Sequence, residues 1–461
     1  MSIKRRDMDP ETMQAIGAVS GDADLNLHFG IIGVFAIDDD SDDVIAMAKL
    51  EGKIRVGDSV NIVNLGDDDS SVKTTVITGI ETGPDQAVNE AADCMVGLIL
   101  EHGGSIGVRK GTVGYAENCS SDNIRAAYIA ALGQTFVAND AMDIAASDRA
   151  QLTIADYDEI MRLYRWYLSQ HPEKKIAPEV VDEICRNHVK TIAGKILAAE
   201  SIYVLVNKDT GEAHMLSKTF KQDDGRYMCT PPDIMVFTKA QMDAVKKAFP
   251  EEKFEYKLVE NGEEKKGIYN FLGDAFYLNG ACGVVSVSGA VRVDKSLLVA
   301  EPDYTDVPEA SIPVTNPGVE RWLLLMAQVG KADTKDKELI ANLYYQFFCR
   351  EVSRAKFLIP MKHSGDIPKP DAEGRTVLEK DTTISLAVRD GKFGRPAVNM
   401  FTDWKRFRMQ YGEEWDAIVQ TIDGMIDNMD CAINATKYYK AGCYINTEMY
   451  QSIVRANNKA K

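Results

Sequence analysis

One pattern of apolar runs, turns and helix starts occurs twice in this chain, which makes the repeated unit the unit of folding. The first occurrence runs through ESIYVLV (200–206), IMVFTKAQMDAV (234–245) and GACGVVSVSGAVRV (280–293). The second runs through AKFLIP (355–360), VNMFTDWKRFRM (398–409) and MDCAINATKYYKAGCYIN (429–446), the last matching more loosely. The clearest shared unit is Phe237–Thr238 against Phe401–Thr402, each ending an apolar run and opening a helix. The threonine is expected to be the helix N-cap there, because its hydroxyl can accept an orphan helix N–H. A helical stretch precedes each copy. Ile160, Leu163, Tyr164, Tyr167 and Leu168 fall on one helical face. Thr153 with Asp156 makes a capping start, and Pro178 and Asn316–Pro317 suit helix openings. This is duplication of an α+β module of about 150 residues, much longer than a solenoid repeat. Residues 301–317, rich in proline and acid, read as a linker.

The N-terminal part has a different rhythm. Short apolar runs at Phe29–Ile37, Val44–Leu50, Asp58–Leu65, Val72–Ile80 and Met95–Leu100 are separated by glycine or aspartate turns. Close, regular spacing of this kind signals a small barrel or sandwich. The stretch LEGKIRVGDSVNIVN, then TTVITGIE, AADCMVGLIL and VRKGTVG, resembles the second domain of elongation factor Tu and related translational GTPases. The resemblance is carried by Gly52, Ile54, Val56, Gly57, Asp58 and Val60, then Thr78–Glu81, Asp93, Val96–Leu98 and Arg109–Gly111. It implies a closed β-barrel, which in elongation factors helps to hold the aminoacyl end of tRNA. Ala92 stands where that family has glycine, and the acidic run Asp38–Asp43 is an addition. No G-x-x-x-x-G-K-[ST] loop is present, so the barrel comes without a nucleotide-binding P-loop.

The duplicated modules resemble the SseB family, named for enhanced serine sensitivity. The residues that carry this are FLIP, the Phe-Thr strand end and CAIN, all in the second copy. In the first copy Val206 replaces the strand-ending proline. The resemblance implies an α+β fold and no defined reaction. The expected fold class is multidomain α/β (α+β): an N-terminal all-β barrel of translation-factor type followed by two α+β SseB-like modules. The boundaries read as 1–26, an N-terminal extension; 27–118, the barrel; 119–300, a helical segment plus the first module; 301–317, the linker; and 318–461, the second module. The full length of 461 residues suits about three domains.

Charge narrows the function classes. The chain carries −17, and residues 1–120 hold 21 acidic against 9 basic residues, a net of −12. The one domain whose relatives bind RNA is therefore the most acidic part, which disfavours phosphate partners. Hydrophobic residues make up 45% of the chain, enough for a packed core and too many for a disordered one. Eight scattered cysteines (Cys94, Cys119, Cys185, Cys229, Cys282, Cys349, Cys431 and Cys443) form no C-x-x-C pair and read as reduced thiols in a cytoplasmic protein. The start, MSIKRRDMDP, lacks an apolar signal region, and no apolar run approaches a membrane span of ~20 residues.

Candidate chemistry is sparse. Gly103–Gly107 matches G-x-S-x-G around Ser105, but no strand-turn-helix context is expected there. Asp38, Asp40 and Asp42 mimic the start of a calcium loop that would need Gly and Glu where Asp43 and Lys49 stand. His188 lies on an apolar helical stripe and reads as a packed histidine. His102, His171, His214 and His363 lack metal-ligand spacing, and Cys349 and His363 are a thiol–imidazole pair only on paper. One basic cluster interleaved with aromatics stands out: Arg389, Lys392, Arg395, Lys405, Arg406 and Arg408, with Phe393, Trp404, Phe407 and Tyr411. Such a cluster suits an acidic protein surface, this protein's own barrel included, or single-stranded nucleic acid. The expectation is a non-enzymatic cytoplasmic interaction protein of SseB type with a protein partner, no cofactor and no metal. The alternatives are a translation-associated factor that binds tRNA or ribosome through the barrel, and an enzyme linked to serine or sulfur metabolism. The two modules are expected to pack on one another, as duplicated modules with self-complementary faces do.

Overall fold

The computed structural model describes residues 26–459 apart from 39, 85, 138–141, 175 and 365–382. The N-terminal extension therefore lies almost wholly outside the described residues. The chain divides into two compact units. One holds the residues up to Lys195 together with Phe237–Val245 and Val287–Val291; the other holds Ile196–Val236, Lys246–Ser286 and the residues from Arg292 onward.

In the first unit, β1 (His28–Ala36), β2 (Val44–Glu51), β3 (Ser59–Val63), β4 (Lys73–Glu81), β5 (Met95–Leu100) and β6 (Val113–Tyr115) form a sheet in the order β3-β6-β1-β2-β5-β4. Pairing of β3 with β4 closes it into an antiparallel six-stranded barrel. The period-two alternation of β2 and β5 turns Ala46, Ala48, Leu50, Val96, Leu98 and Leu100 into the lumen. Register shifts at Ile31/Gly33 and Ile77/Gly79 supply the local bends that a small closed barrel needs. Five of these strands match the sequence reading; β6, three residues with a central glycine, was not separable from a turn.

Helix α1 (Ser121–Leu132), capped by Ser120, lies against β1 at Gly30, where any Cβ would stand 2.4 Å from the Ala127 carbonyl oxygen. Helix α2 (Ile154–Gln170) begins with the expected Thr153–Asp156 capping box. Asp156 does more than cap: it accepts from Arg109 Nη2 at 2.9 Å and from the Tyr128 hydroxyl at 2.7 Å. Arg109 also donates to Asp67 at 3.0 Å, so one guanidinium joins a barrel loop to α2. Helix α3 (Pro178–Ala198) follows. Its His188 is buried, with Nε2 3.0 Å from the Met142 carbonyl oxygen, and burial lowers its pKa.

The duplication is visible as repeated topology. In the first copy β7 (Ser201–Asn207), β8 (Asp233–Phe237), β9 (Phe254–Glu260), β10 (Gly283–Val285) and β11 (Arg292–Asp294) take the order β9-β7-β8-β10-β11. The β7/β9 and β10/β11 pairs are antiparallel, and β8/β10 is parallel. Before the second copy come α4 (Pro317–Val329) and α5 (Lys335–Val352), as α2 and α3 come before the first. The second copy places β14 (Asp416–Gln420) beside β12 (Phe357–His363), and β13 (Pro396–Met400), β15 (Asp430–Ile433) and β16 (Cys443–Ile445) side by side. A bridge between Leu358 and Phe401 joins the two sets, giving the same order with the same parallel pair. Both copies then end on an Asx cap: Asp294 accepts from Ser296 N and Asn446 from Met449 N.

His214 reports on the first copy. Its ring packs on Phe254, 4.9 Å between centroids, and its Nδ1 is buried without a hydrogen-bond partner. Burial pushes its pKa down to about 4. The unfolded chain, at an ordinary value near 6.5, takes up this proton first, so stability is lost as pH falls from there toward 4. His214→Phe is expected to remove about 2 kcal/mol of the stability lost between pH 7.5 and pH 5, checked by urea unfolding at the two values.

Candidate functional site

The densest polar cluster in the second unit is built around Glu320 and Arg406, both 0% exposed. Pro317 starts α4, and Asn316 ahead of it ties the helix start to the chain by donating to the carbonyls of Lys356 (2.7 Å) and Thr402 (2.8 Å). This places Glu320 in the first turn, against the end of β13 and the end of β15. The Asn434 amide donates to Glu320 at 2.7 Å and the Thr402 hydroxyl at 3.2 Å; the Tyr439 hydroxyl donates as well. Asn434 adopts a left-handed backbone (φ 47°), a conformation that asparagine tolerates better than most residues, and its Oδ1 accepts from Thr402 N. The asparagine of CAIN and the threonine of Phe-Thr thus meet on one carboxylate.

Arg406 projects from a short helix, α6 (Trp404–Arg408). The N-cap of that helix is Asp403, whose Oδ1 accepts from Arg406 N at 3.0 Å. The expected capping role of Thr402 is therefore corrected: its hydroxyl is turned inward to Glu320 and Asp403, and the next residue caps. Arg406 Nη1 donates to Asp403 Oδ2 at 2.6 Å, and Nε stands 3.1 Å from Glu320 Oε1. Nη2 reaches the first copy, donating to Asn279 Oδ1 at 2.6 Å and approaching Glu212 Oε1 at 3.5 Å. Lys405 Nζ completes the crossing, 2.9 Å from Glu212, while Asn279 donates to Glu212 at 2.8 Å. The two copies are joined here, as their expected packing requires.

Three carboxylates thus surround two cations, of which Arg406 is fully buried and Lys405 is half-buried. Burial raises the pKa of Glu320 even though Arg406 opposes it. Burial works against the charge on Arg406, but Glu320, Tyr439, Asp403 and Glu212 together hold its pKa well above the ordinary arginine value. The Tyr439 phenol is pushed up by burial and by Glu320. Glu320 and Arg406 are shut away from solvent and bonded to both copies' residues, so the arrangement acts as a fastener. The first copy has a smaller counterpart wholly within the first unit. Asp158 of α2 accepts from Gln241 Nε2 (2.9 Å), from Ser288 N (3.1 Å) and from the Ser288 hydroxyl. In both copies a buried carboxylate on the first helix grips the turn after Phe-Thr and the turn after the parallel strand pair.

The six basic residues singled out in the sequence do not share one surface. Arg406 and Lys405 belong to the fastener. Arg408 lies over the Trp404 and Phe407 rings and donates to the Trp415 carbonyl at 3.1 Å. Arg395 donates to the Thr447 hydroxyl (3.0 Å) and the Asp427 carbonyl (3.1 Å). Arg389 and Lys392 form no ion pair with any described residue; both sit over the Tyr444 ring, at 5.8 and 4.8 Å from its centroid. The remaining candidates are separately engaged. The Ser105 hydroxyl donates to Asp42 in a turn that leads into no helix, and this bond leads the lowering of the Asp42 pKa. Asp40 N donates to Asp38 Oδ1, while Asp39 lies outside the described residues. Cys349 is buried on α5, where burial raises its thiol pKa, and His363 ends β12, 3.4 Å from Asp416. Among the described residues no group of three or more His, Cys, Asp or Glu could hold a metal ion, and no helix is long and apolar enough to cross a membrane. A pocket of about 230 Å³ between α4, α5 and residues 440–449 has no carboxylate or imidazole in its walls.

Comparison with family models gives no match, and comparison with curated proteins gives none either. The functional reading therefore stands on the residues themselves. Glu320, Asp403, Glu212 and Asn279 leave no signal in the sequence; Asn434 is marked through CAIN, Thr402 through Phe-Thr, and Lys405 and Arg406 through the basic cluster. Arg406→Met is expected to cost about 3–5 kcal/mol, because it leaves the buried carboxylates of Glu320 and Asp403 without their cation. Glu320→Gln, which keeps the shape and an acceptor oxygen, is expected to cost less; denaturant unfolding of the full chain compares the two.

Proposed function

We propose that this chain is a non-enzymatic cytoplasmic interaction protein of SseB type, which presents a duplicated α+β module to a protein partner. The observation that carries the reading is the fastener itself. Buried charges that link two copies across a shared site hold them in one relative orientation, the property a binding surface composed of both copies needs. The residue types capable of chemistry support it further, since Ser105, Cys349, Arg406 and Glu320 are each engaged internally. A second reading, a translation-associated factor, draws on the closed six-stranded antiparallel barrel and its likeness to the second domain of elongation factor Tu. The net −12 of residues 1–120 weighs against it, because tRNA and ribosomal RNA are polyanions.

Affinity purification of the tagged full chain from its native cell, with mass spectrometry and an RNA assay, separates the two. One stoichiometric protein partner that survives nuclease treatment is the expected result. Recovery of tRNA or ribosomes that nuclease abolishes would replace it with the translation reading.

A further inference from the structure

The two copies can be compared residue by residue through their strand registers. Phe237 corresponds to Phe401, so Asp233 corresponds to Ala397. Ile234 pairs with Val284 and Val398 with Cys431, which makes Gly283 the counterpart of Asp430. Val285 pairs with Arg292 and Ala432 with Tyr444, which makes Arg292 the counterpart of Tyr444.

In the first copy this sheet face is closed by an internal ion pair. Arg292 binds Asp233 bidentately, at 2.7 and 3.0 Å, and its Nη2 also donates to the Cys282 carbonyl. In the second copy the same face carries different residues. Alanine stands at 397 where the first copy has Asp233, and a carboxylate stands one strand over, at Asp430, where the first copy has Gly283. Tyr444 stands where the first copy has Arg292. Asp430 is 0% exposed, and both its oxygens are buried without a hydrogen-bond partner. Arg389 has entered on the neighbouring strand, Val388–Asp390, in the same row as Ala397 and Asp430. Residues paired in one row point to one face of the sheet. Arg389 Nη1 is likewise buried without a partner. Lys392, exposed on the adjoining hairpin, joins Arg389 over the Tyr444 ring. Where the first copy pairs its charges directly, the second gathers two cations on one aromatic ring, and neither forms an ion pair with a described carboxylate, Asp430 in the same row included.

The geometry points to a binding site on this face of the second module for an acidic peptide segment of a partner protein, with Arg389 and Lys392 receiving its carboxylates. The assignment rests on the interaction reading above and specifies its partner. Charge complementarity selects the ligand: two unpaired cations match one or two side-chain carboxylates. A long polyanion such as RNA needs a run of cations along its backbone, and Arg395, Lys405, Arg406 and Arg408 of the same cluster are engaged internally. The Tyr444 ring holds both cations in place by cation–π attraction, which lessens the order they must gain on binding.

The test is fluorescence anisotropy of a labelled deca-glutamate peptide titrated with the full chain at low ionic strength, with a deca-uridylate strand in parallel. The peptide is expected to bind, and Lys392→Glu is expected to weaken it by about tenfold or more, the size of one lost charge-assisted contact plus repulsion. Arg389→Ala is expected to do the same. Lys392 is exposed, so K392E keeps the fold, checked by its melting curve, and decides the matter even where R389A does not fold. Absence of peptide binding, binding unchanged in K392E, or tighter binding of deca-uridylate than of the peptide would each overturn the assignment. Should K392E bind the peptide as wild type does while the purification still yields a stoichiometric protein partner, this site falls and the interaction reading stands.

Discussion

A guanidinium shut away from water must find its counter-charge inside the protein, and Arg406 finds it in three directions. Asp403 holds it on its own helix, Glu320 holds it against α4, and Glu212 with Asn279 draws it to the other copy. Removing an ion from water costs several kcal/mol, and the attraction of a single partner rarely offsets that cost. A buried arginine is therefore stable only where several acceptors converge, and such convergence specifies position closely. Arg406 ties its own helix, the start of α4 and the first copy together, and Glu320 extends the tie to the ends of β13 and β15. Apolar packing alone would tolerate sliding between the copies; a charge that loses its partner on sliding does not.

The first unit applies the same rule with less charge. Arg109 joins Asp67 of a barrel loop to Asp156 of α2, and Asp158, two residues along, collects Gln241 and Ser288. Asp156, Asp158 and Glu320 all stand near the N-terminal end of a helix, where the unpaired N–H groups favour a negative charge. Helix starts thus provide sites where a carboxylate can be buried at reduced cost, and strand ends supply the donors. That explains why the Thr of Phe-Thr and the Asn of CAIN stand at strand ends: they are the points at which the sheet meets the carboxylate of the preceding helix pair.

Much of this organisation was legible in the sequence, and the limits are physical. Alternation along Val44–Glu51 and Met95–Leu100 exposes barrel strands directly, because each has one face in the lumen. The duplication showed through Phe237–Thr238 and Phe401–Thr402, since a buried aromatic followed by a polar turn leaves a local signature. Glu320 left none. A lone glutamate in PGVERW looks like a solvated first-turn acid, and only long-range folding brings Asn434 and Arg406 to it. The same limit misassigned Thr402 as a cap: the choice between Thr402 and Asp403 depends on Glu320, which is distant in sequence. The basic cluster was read as one surface because its members are neighbours in sequence. The sheet sends alternate residues to opposite faces, and the helix turns Arg406 inward.

Duplication also accounts for how charge is distributed between the copies. A single module must close its own sheet face, and Asp233 with Arg292 does so in the first copy by a bidentate pair whose two bonds need no outside partner. Once a second copy is fastened to the first through Glu212 and Arg406, part of its stability comes from that junction. The second copy keeps the same strand order with Tyr444 in place of Arg292, Asp430 in place of Gly283 and a cation at Arg389. An enclosed carboxylate without a partner costs free energy wherever it occurs. The contacts of Arg406 with Glu212 and Asn279 belong to both copies, so a cost of this kind in one of them is carried by the joined pair and not by a single module.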